Sequence, residues 1–116
     1  MVLYNKYDKE TLKKKLSEEQ FKRITLSFYR YVILEELPLF RDNFYKQLSE
    51  LNVLGRIYIA REGINAQISV PEKDWNSFID LLNSYVQFKD VDLKIAVEDD
   101  GKSFSKLIVR IRELNR

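Results

Sequence analysis

The sequence has no cysteine and no histidine. Within this chain that excludes disulfides, thiolate nucleophiles, nucleophilic triads with a histidine base, and most zinc or iron sites. Chemistry is left to carboxylates, hydroxyls, lysine and arginine. Glycine and proline are scarce, three and two in 116 residues, so there is no flexible or proline-rich linker. Long apolar runs are absent: Val32-Ile33-Leu34 is as long as any, and no apolar segment follows a basic start. The sequence therefore predicts neither a membrane span nor a signal peptide, and a cytoplasmic protein. Charge of one sign is also lacking, since 20 Lys and Arg face 18 Asp and Glu for a net +2. Only the placement of the cations, not their number, can point to nucleic acid.

What is present suits one soluble globular domain. Hydrophobic residues make 45% and charged residues 33% of the 116, and a chain of this length buries about two thirds of its unfolded surface. Residues 55–71 organise the rest. Ile57 and Ile59, then Ile64, Ala66, Ile68 and Val70, alternate with residues of other character, a period of two that reads as two half-buried strands. Glu62-Gly63 is the expected hairpin turn, with Gly63 at positive φ, Ile59 opposite Ala66 and Ile57 opposite Ile68. The second face of this hairpin carries Arg56, Tyr58, Ala60, Asn65, Gln67 and Ser69.

Around it, Leu12, Leu16 and Phe21 predict a leading helix over 8–22. Residues 23–34 read as a strand with Ile24, Leu26 and Phe28 toward the core and Tyr29 and Tyr31 away. Pro38, preceded by Glu35 and Glu36, opens a helix striped by Phe40, Phe44, Leu48 and Leu51. Pro71 opens a second, striped by Trp75, Phe78, Ile79, Leu82 and Val86. Alternation over 91–97 and 107–112 predicts two final strands, with a hairpin turn at Asp99-Asp100-Gly101. The order βαββαβ is that of an α+β, ferredoxin-like sandwich over 23–116, with a helical extension over 1–22 and one extra strand. Which of the last two strands completes the core sheet stays open.

Such a sheet buries one face under its helices and displays the other. Displayed here are Tyr29, Tyr31, Arg56, Tyr58, Gln67, Lys94, Arg110 and Arg112, with Arg61 and Asn65 expected at the hairpin tip. Rings that stack on bases beside cations that meet phosphates make an RNA-binding platform. The bland alternative is a solvated face or a dock for another domain. Acylphosphatase chemistry uses the same element order but needs a phosphate-cradling loop after the first strand. Residues 34–38 are acidic and lack glycine there, which opposes a phosphate. Asp99 and Asp100 lack the further oxygens a Ca²⁺ or Mg²⁺ site requires, so the sequence names no metal ligand.

Several blocks also carry a family resemblance: Ser27-Phe-Tyr-Arg-Tyr31, Arg41-Asp42, Leu51-Asn-Val-Leu-Gly-Arg-Ile-Tyr58, Ala60-Arg-Glu-Gly-Ile-Asn-Ala-Gln-Ile-Ser-Val-Pro71 and Asp99-Asp-Gly-Lys-Ser-Phe104. With Tyr4-Asn5 and Val109-Arg110-x-Arg112-Glu113 they cover nearly the whole chain. They resemble the N-terminal region of the rhodanese-domain tRNA uridine hydroxylases. The resemblance implies oxygen-dependent formation of 5-hydroxyuridine at the tRNA wobble position, with molecular oxygen as co-substrate and no cofactor identifiable in this chain. It also implies tRNA and a following rhodanese domain of the same polypeptide as partners. That domain carries a cysteine in the family; this sequence ends at Arg116 without one, so no catalytic residue is carried over. The resulting expectation is a tRNA-engaging domain inactive alone, or else an interdomain scaffold packed on the rhodanese domain.

Overall fold

The computed structural model describes residues 22–96 and 104–112. The helix expected over 8–22, the Asp99-Asp100-Gly101 turn and Glu113 lie outside them, save Lys22 itself. The elements are β1 (Arg23–Tyr31), α1 (Leu37–Glu50), β2 (Leu54–Ala60), β3 (Gly63–Pro71), α2 (Trp75–Ser84), β4 (Lys94–Ile95) and β5 (Leu107–Ile111). The strands form one sheet in the order β4-β1-β3-β2-β5, antiparallel except where β5 runs parallel to β2. This is the α+β sandwich that the element order implies. The open question about the last strands is resolved: the two-residue β4 lies beside β1 as the fourth core strand, and β5 is the added edge. Because they occupy opposite edges, no hairpin joins them, contrary to the reading of Asp99-Asp100-Gly101 as a hairpin turn. A good turn dipeptide marks a change of direction and does not choose the neighbour of the next strand.

Alternation builds the core. Leu26 and Phe28 from β1, Ile57 and Ile59 from β2, Ile64, Ala66, Ile68 and Val70 from β3, and Leu107 and Val109 from β5 are buried together. Phe44 and Leu48 from α1 and Phe78 and Leu82 from α2 cover them. Burying each such Ile or Leu is worth about 1.5–3 kcal/mol. Val86 departs from its expected place in the stripe, being 82% exposed. The α-helix ends at Ser84, and the tighter 3-10 turn Val86–Phe88 swings Phe88 into the core in its stead. Phe88 then joins Phe40, Phe44 and Tyr85 in an aromatic cluster with ring centroids 5.2–5.7 Å apart. The Tyr85 hydroxyl donates to Gln47 Oε1, linking the segment after α2 to α1. Arg41 Nε donates to the Val109 carbonyl at 2.7 Å and fastens α1 to the edge strand.

The hairpin register differs from expectation by two residues. Ile59 faces Ile64, Ile57 faces Ala66, and Gly55 faces Ile68, so the connecting residues are Arg61 and Glu62. A shift of two keeps every side chain on its expected face, which is why alternation cannot distinguish the registers. Gly63 is therefore the first residue of β3, opposite Tyr31, and not part of the turn. A Cβ there would lie 2.3 Å from the Arg30 carbonyl oxygen, so its missing side chain admits the close approach of β1. Beyond β1 the backbone amides of Val32 and Leu34 donate to the Glu62 and Arg61 carbonyls, clasping the hairpin tip.

Candidate nucleic-acid interface

The face of the sheet away from the helices is built by the alternate positions of the same strands. Pairing registers set its side chains in rows. One row runs Arg110, Tyr58, Asn65, Tyr29 across β5, β2, β3 and β1. The next runs Ile108, Arg56, Gln67, Ser27, Lys94. None of these strand positions is acidic. Arg56, Asn65, Gln67, Lys94, Arg110 and Arg112 are exposed. The other end of the face is not open: Ser69 is buried, and Arg23, which donates to the Ser69 carbonyl at 3.2 Å, is 6% exposed. The polar character of Ser69 gave no sign of this.

Two aromatic pairs sit on the open end. Tyr29 and Tyr31, 61% and 83% exposed, meet edge to face with centroids 5.7 Å apart. The Arg112 guanidinium lies 3.9 Å above the Tyr58 ring, a cation–π stack held because the Arg112 amide donates to the Ile59 carbonyl at 2.8 Å. Between the pairs is a cleft of about 360 Å³, walled by Tyr29, Tyr31, Tyr58, Asn65 and Arg112, with Glu62 of the turn and Gly63 at the start of β3.

The structure thus brings together Tyr29, Tyr31, Arg56, Tyr58, Asn65, Gln67, Arg110 and Arg112 on one face. Asn65 belongs to the middle of a row and not to the hairpin tip. Arg61 is the exception. It alternates to the helix side and lines a separate cavity of about 410 Å³ with Leu34, Glu35, Glu36, Leu37 and Pro38. Arg61 sits in the connection itself, at the hairpin tip where it was expected, and its side chain is turned away from the open face. Arg30, next to the tyrosines in sequence, donates to the Gln87 and Lys89 carbonyls at 3.3 and 2.7 Å and tethers the loop ahead of β4. Glu62, absent from the sequence-based candidates, supplies the one carboxylate of the cleft wall. A turn carboxylate carries no signal that separates it from ordinary turn chemistry.

The loop from β1 to α1 is no phosphate cradle. Its Val32 and Leu34 amides are engaged by hairpin carbonyls, and Glu35 and Glu36 are exposed beside the cavity there. Glu36 is the N-cap of α1 in a left-handed conformation, φ 49°, without a side-chain cap bond, so the expected help from its carboxylate is not seen in that form. Among the described residues, no three His, Cys, Asp or Glu side chains are grouped to hold a metal. No described helix is long and apolar enough to cross a membrane.

Comparison with known proteins agrees with this architecture. Two solved structures share the fold: a BLUF protein, BlrB, in its dark state, with TM-score 0.50 and 15% identity over 79% of this chain and 75% of that one, and the BLUF domain of BlrP1, with TM-score 0.53 and 14% identity over 80% and 66%. At that identity they speak for the fold alone. Among curated proteins, a tRNA uridine(34) hydroxylase of Leptospira interrogans is 58% identical over 111 residues, 96% of this chain and 30% of the relative. The enzyme of that name from an Enterobacter species is 49% identical over 113 residues, 97% of this chain and 32% of the relative. The chain therefore spans about a third of the length of these relatives. A family model, the UPF0176 acylphosphatase like domain, matches residues 23–114, which span all the described strands and both helices, and the chain belongs to that family as the N-terminal domain found in tRNA uridine(34) hydroxylases.

Proposed function

We propose that this chain is the tRNA-engaging domain of an oxygen-dependent wobble-uridine hydroxylase that forms 5-hydroxyuridine. It makes its contact through the open sheet face, and the oxygen chemistry is carried by the rest of the polypeptide, a C-terminal rhodanese domain. The observation that carries the reading is the acid-free row of Arg110, Tyr58, Asn65 and Tyr29, beside Arg56 and Arg112. Cations two residues apart on a strand stand about 7 Å from one another, a spacing suited to successive phosphates. The relatives' name supports tRNA as the nucleic acid.

Titration of this chain with tRNA at two salt concentrations tests the reading. Binding should weaken steeply with salt, and Arg56→Ala and Arg110→Ala should each lower the slope of log K against log salt by about one. Absence of binding at low salt, or binding indifferent to salt, rejects it.

A second reading makes the same face a scaffold for the rhodanese domain. It is favoured by the exposure of Tyr29 and Tyr31, 61% and 83%, since rings of that kind also anchor protein interfaces. In a full-length relative it requires Tyr58→Ala or Arg110→Ala to lower stability more than tRNA affinity.

A further inference from the structure

The cleft at one end of the face has a chemistry different from the face itself. Its volume, about 360 Å³, is near the lower end of the range of ligand pockets, about 300–1,000 Å³. That is room for one base and its sugar and too little for a duplex. Its walls offer flat stacking partners: the perpendicular Tyr29 and Tyr31 rings on β1, and the planar Arg112 guanidinium stacked on Tyr58 on the opposite side, with Arg30 also in the wall, its guanidinium engaged by the Gln87 and Lys89 carbonyls. Asn65 stands between them in register, bringing an amide donor and acceptor to the edge of whatever lies there. Glu62, in the same wall, opposes a phosphate in the cleft. Two further cations not among the cleft walls are Arg110, beside Tyr58 across the β2–β5 pairing, and Arg56, two residues along β2.

We propose, resting on the RNA-contact reading above, that this cleft holds one unpaired base of a single-stranded RNA segment while Arg56 and Arg110 take the phosphates next to it. Bases of a paired helix stay stacked within it and have none to place between the tyrosines and the Arg112–Tyr58 stack. The site selects loop over stem by geometry, not by charge.

The test compares two labelled RNAs of equal length, a stem-loop with an unpaired loop and a blunt duplex, by fluorescence anisotropy with this chain. The stem-loop should bind at least tenfold more tightly. Tyr31→Ala and Asn65→Ala alter exposed side chains. Tyr31→Ala should weaken the stem-loop about tenfold, as expected for loss of one stacking partner, and leave the duplex unchanged; Asn65→Ala should act in the same direction with smaller effect. Arg110→Ala should weaken both RNAs equally. Equal affinity for the two RNAs, or equal loss of both on Tyr31→Ala, overturns the base-holding cleft while leaving the wider contact face standing. If neither RNA binds at low salt, both readings are overturned. Unchanged thermal melting of each variant establishes that the comparison is between folded proteins.

Discussion

The two faces of this sheet are made by the same strands, yet they are governed by different physics. On the helix side Ile57, Ile68, Val70, Phe44, Phe78 and Phe88 are fully enclosed, and their arrangement answers to packing and volume. On the other side Tyr29, Tyr31, Arg56 and Arg110 face water, and nothing in the fold's own stability requires those residue types. The difference teaches where packing stops constraining the sequence: the buried residues explain the domain, and the exposed rings and cations are free to serve something other than its stability.

The contrast is most sharply broken by Phe78→Ala. It should cost about 3–5 kcal/mol in urea unfolding, because a fully buried ring leaves a cavity beneath the sheet, while the folded fraction keeps its RNA affinity. Next comes Gly63→Ala, at about 1–3 kcal/mol, because a Cβ 2.3 Å from the Arg30 carbonyl must push β3 from β1. If Gly63→Ala is neutral in the same melt, the close approach has been overstated.

On the open face the expectation reverses. Tyr31→Ala should shift stability by no more than about 0.5 kcal/mol, measured by thermal melting, even as it weakens the stem-loop. A larger loss would mean that this face packs more than its exposure indicates. Arg112→Ala removes the stack on Tyr58 and should cost about 0.5–1 kcal/mol.

The smallest effect is one of pH. Burial pushes the Tyr85 phenol above its ordinary value of 10.0. A raised folded value means that the neutral phenol contributes fully below pH 10 and fades as pH rises through the folded value. Stability should therefore fall more steeply above pH 10 for the parent than for Tyr85→Phe, as read from melts across that range.

Much of this was legible beforehand. Strand alternation separates Ile57, Ile59 and Ile68 from Arg56, Tyr58 and Gln67 because a strand's period of two assigns faces without reference to any partner. Helical spacing likewise identified Phe44, Leu48, Phe78 and Leu82. The hairpin register is not legible, since shifts of two leave the faces intact; with it Asn65 moves from the tip into the strand, while Arg61 stays at the tip. Spacing assigns Val86 to the core because a helical stripe continues on paper past the residue where the helix stops. Phe88 was missed for the same reason.

Residue order alone settled which side chains turn inward and which outward, because that depends on backbone periodicity and on the preference of apolar groups for burial. Which strands become neighbours was decided only by the folded chain. The placement of β4 and β5 on opposite edges, the approach of Arg112 to Tyr58 and the closing of a cleft among three tyrosines all depend on pairing between residues distant in sequence. Local periodicity carries no information about such pairings; they follow from packing the whole apolar face at once.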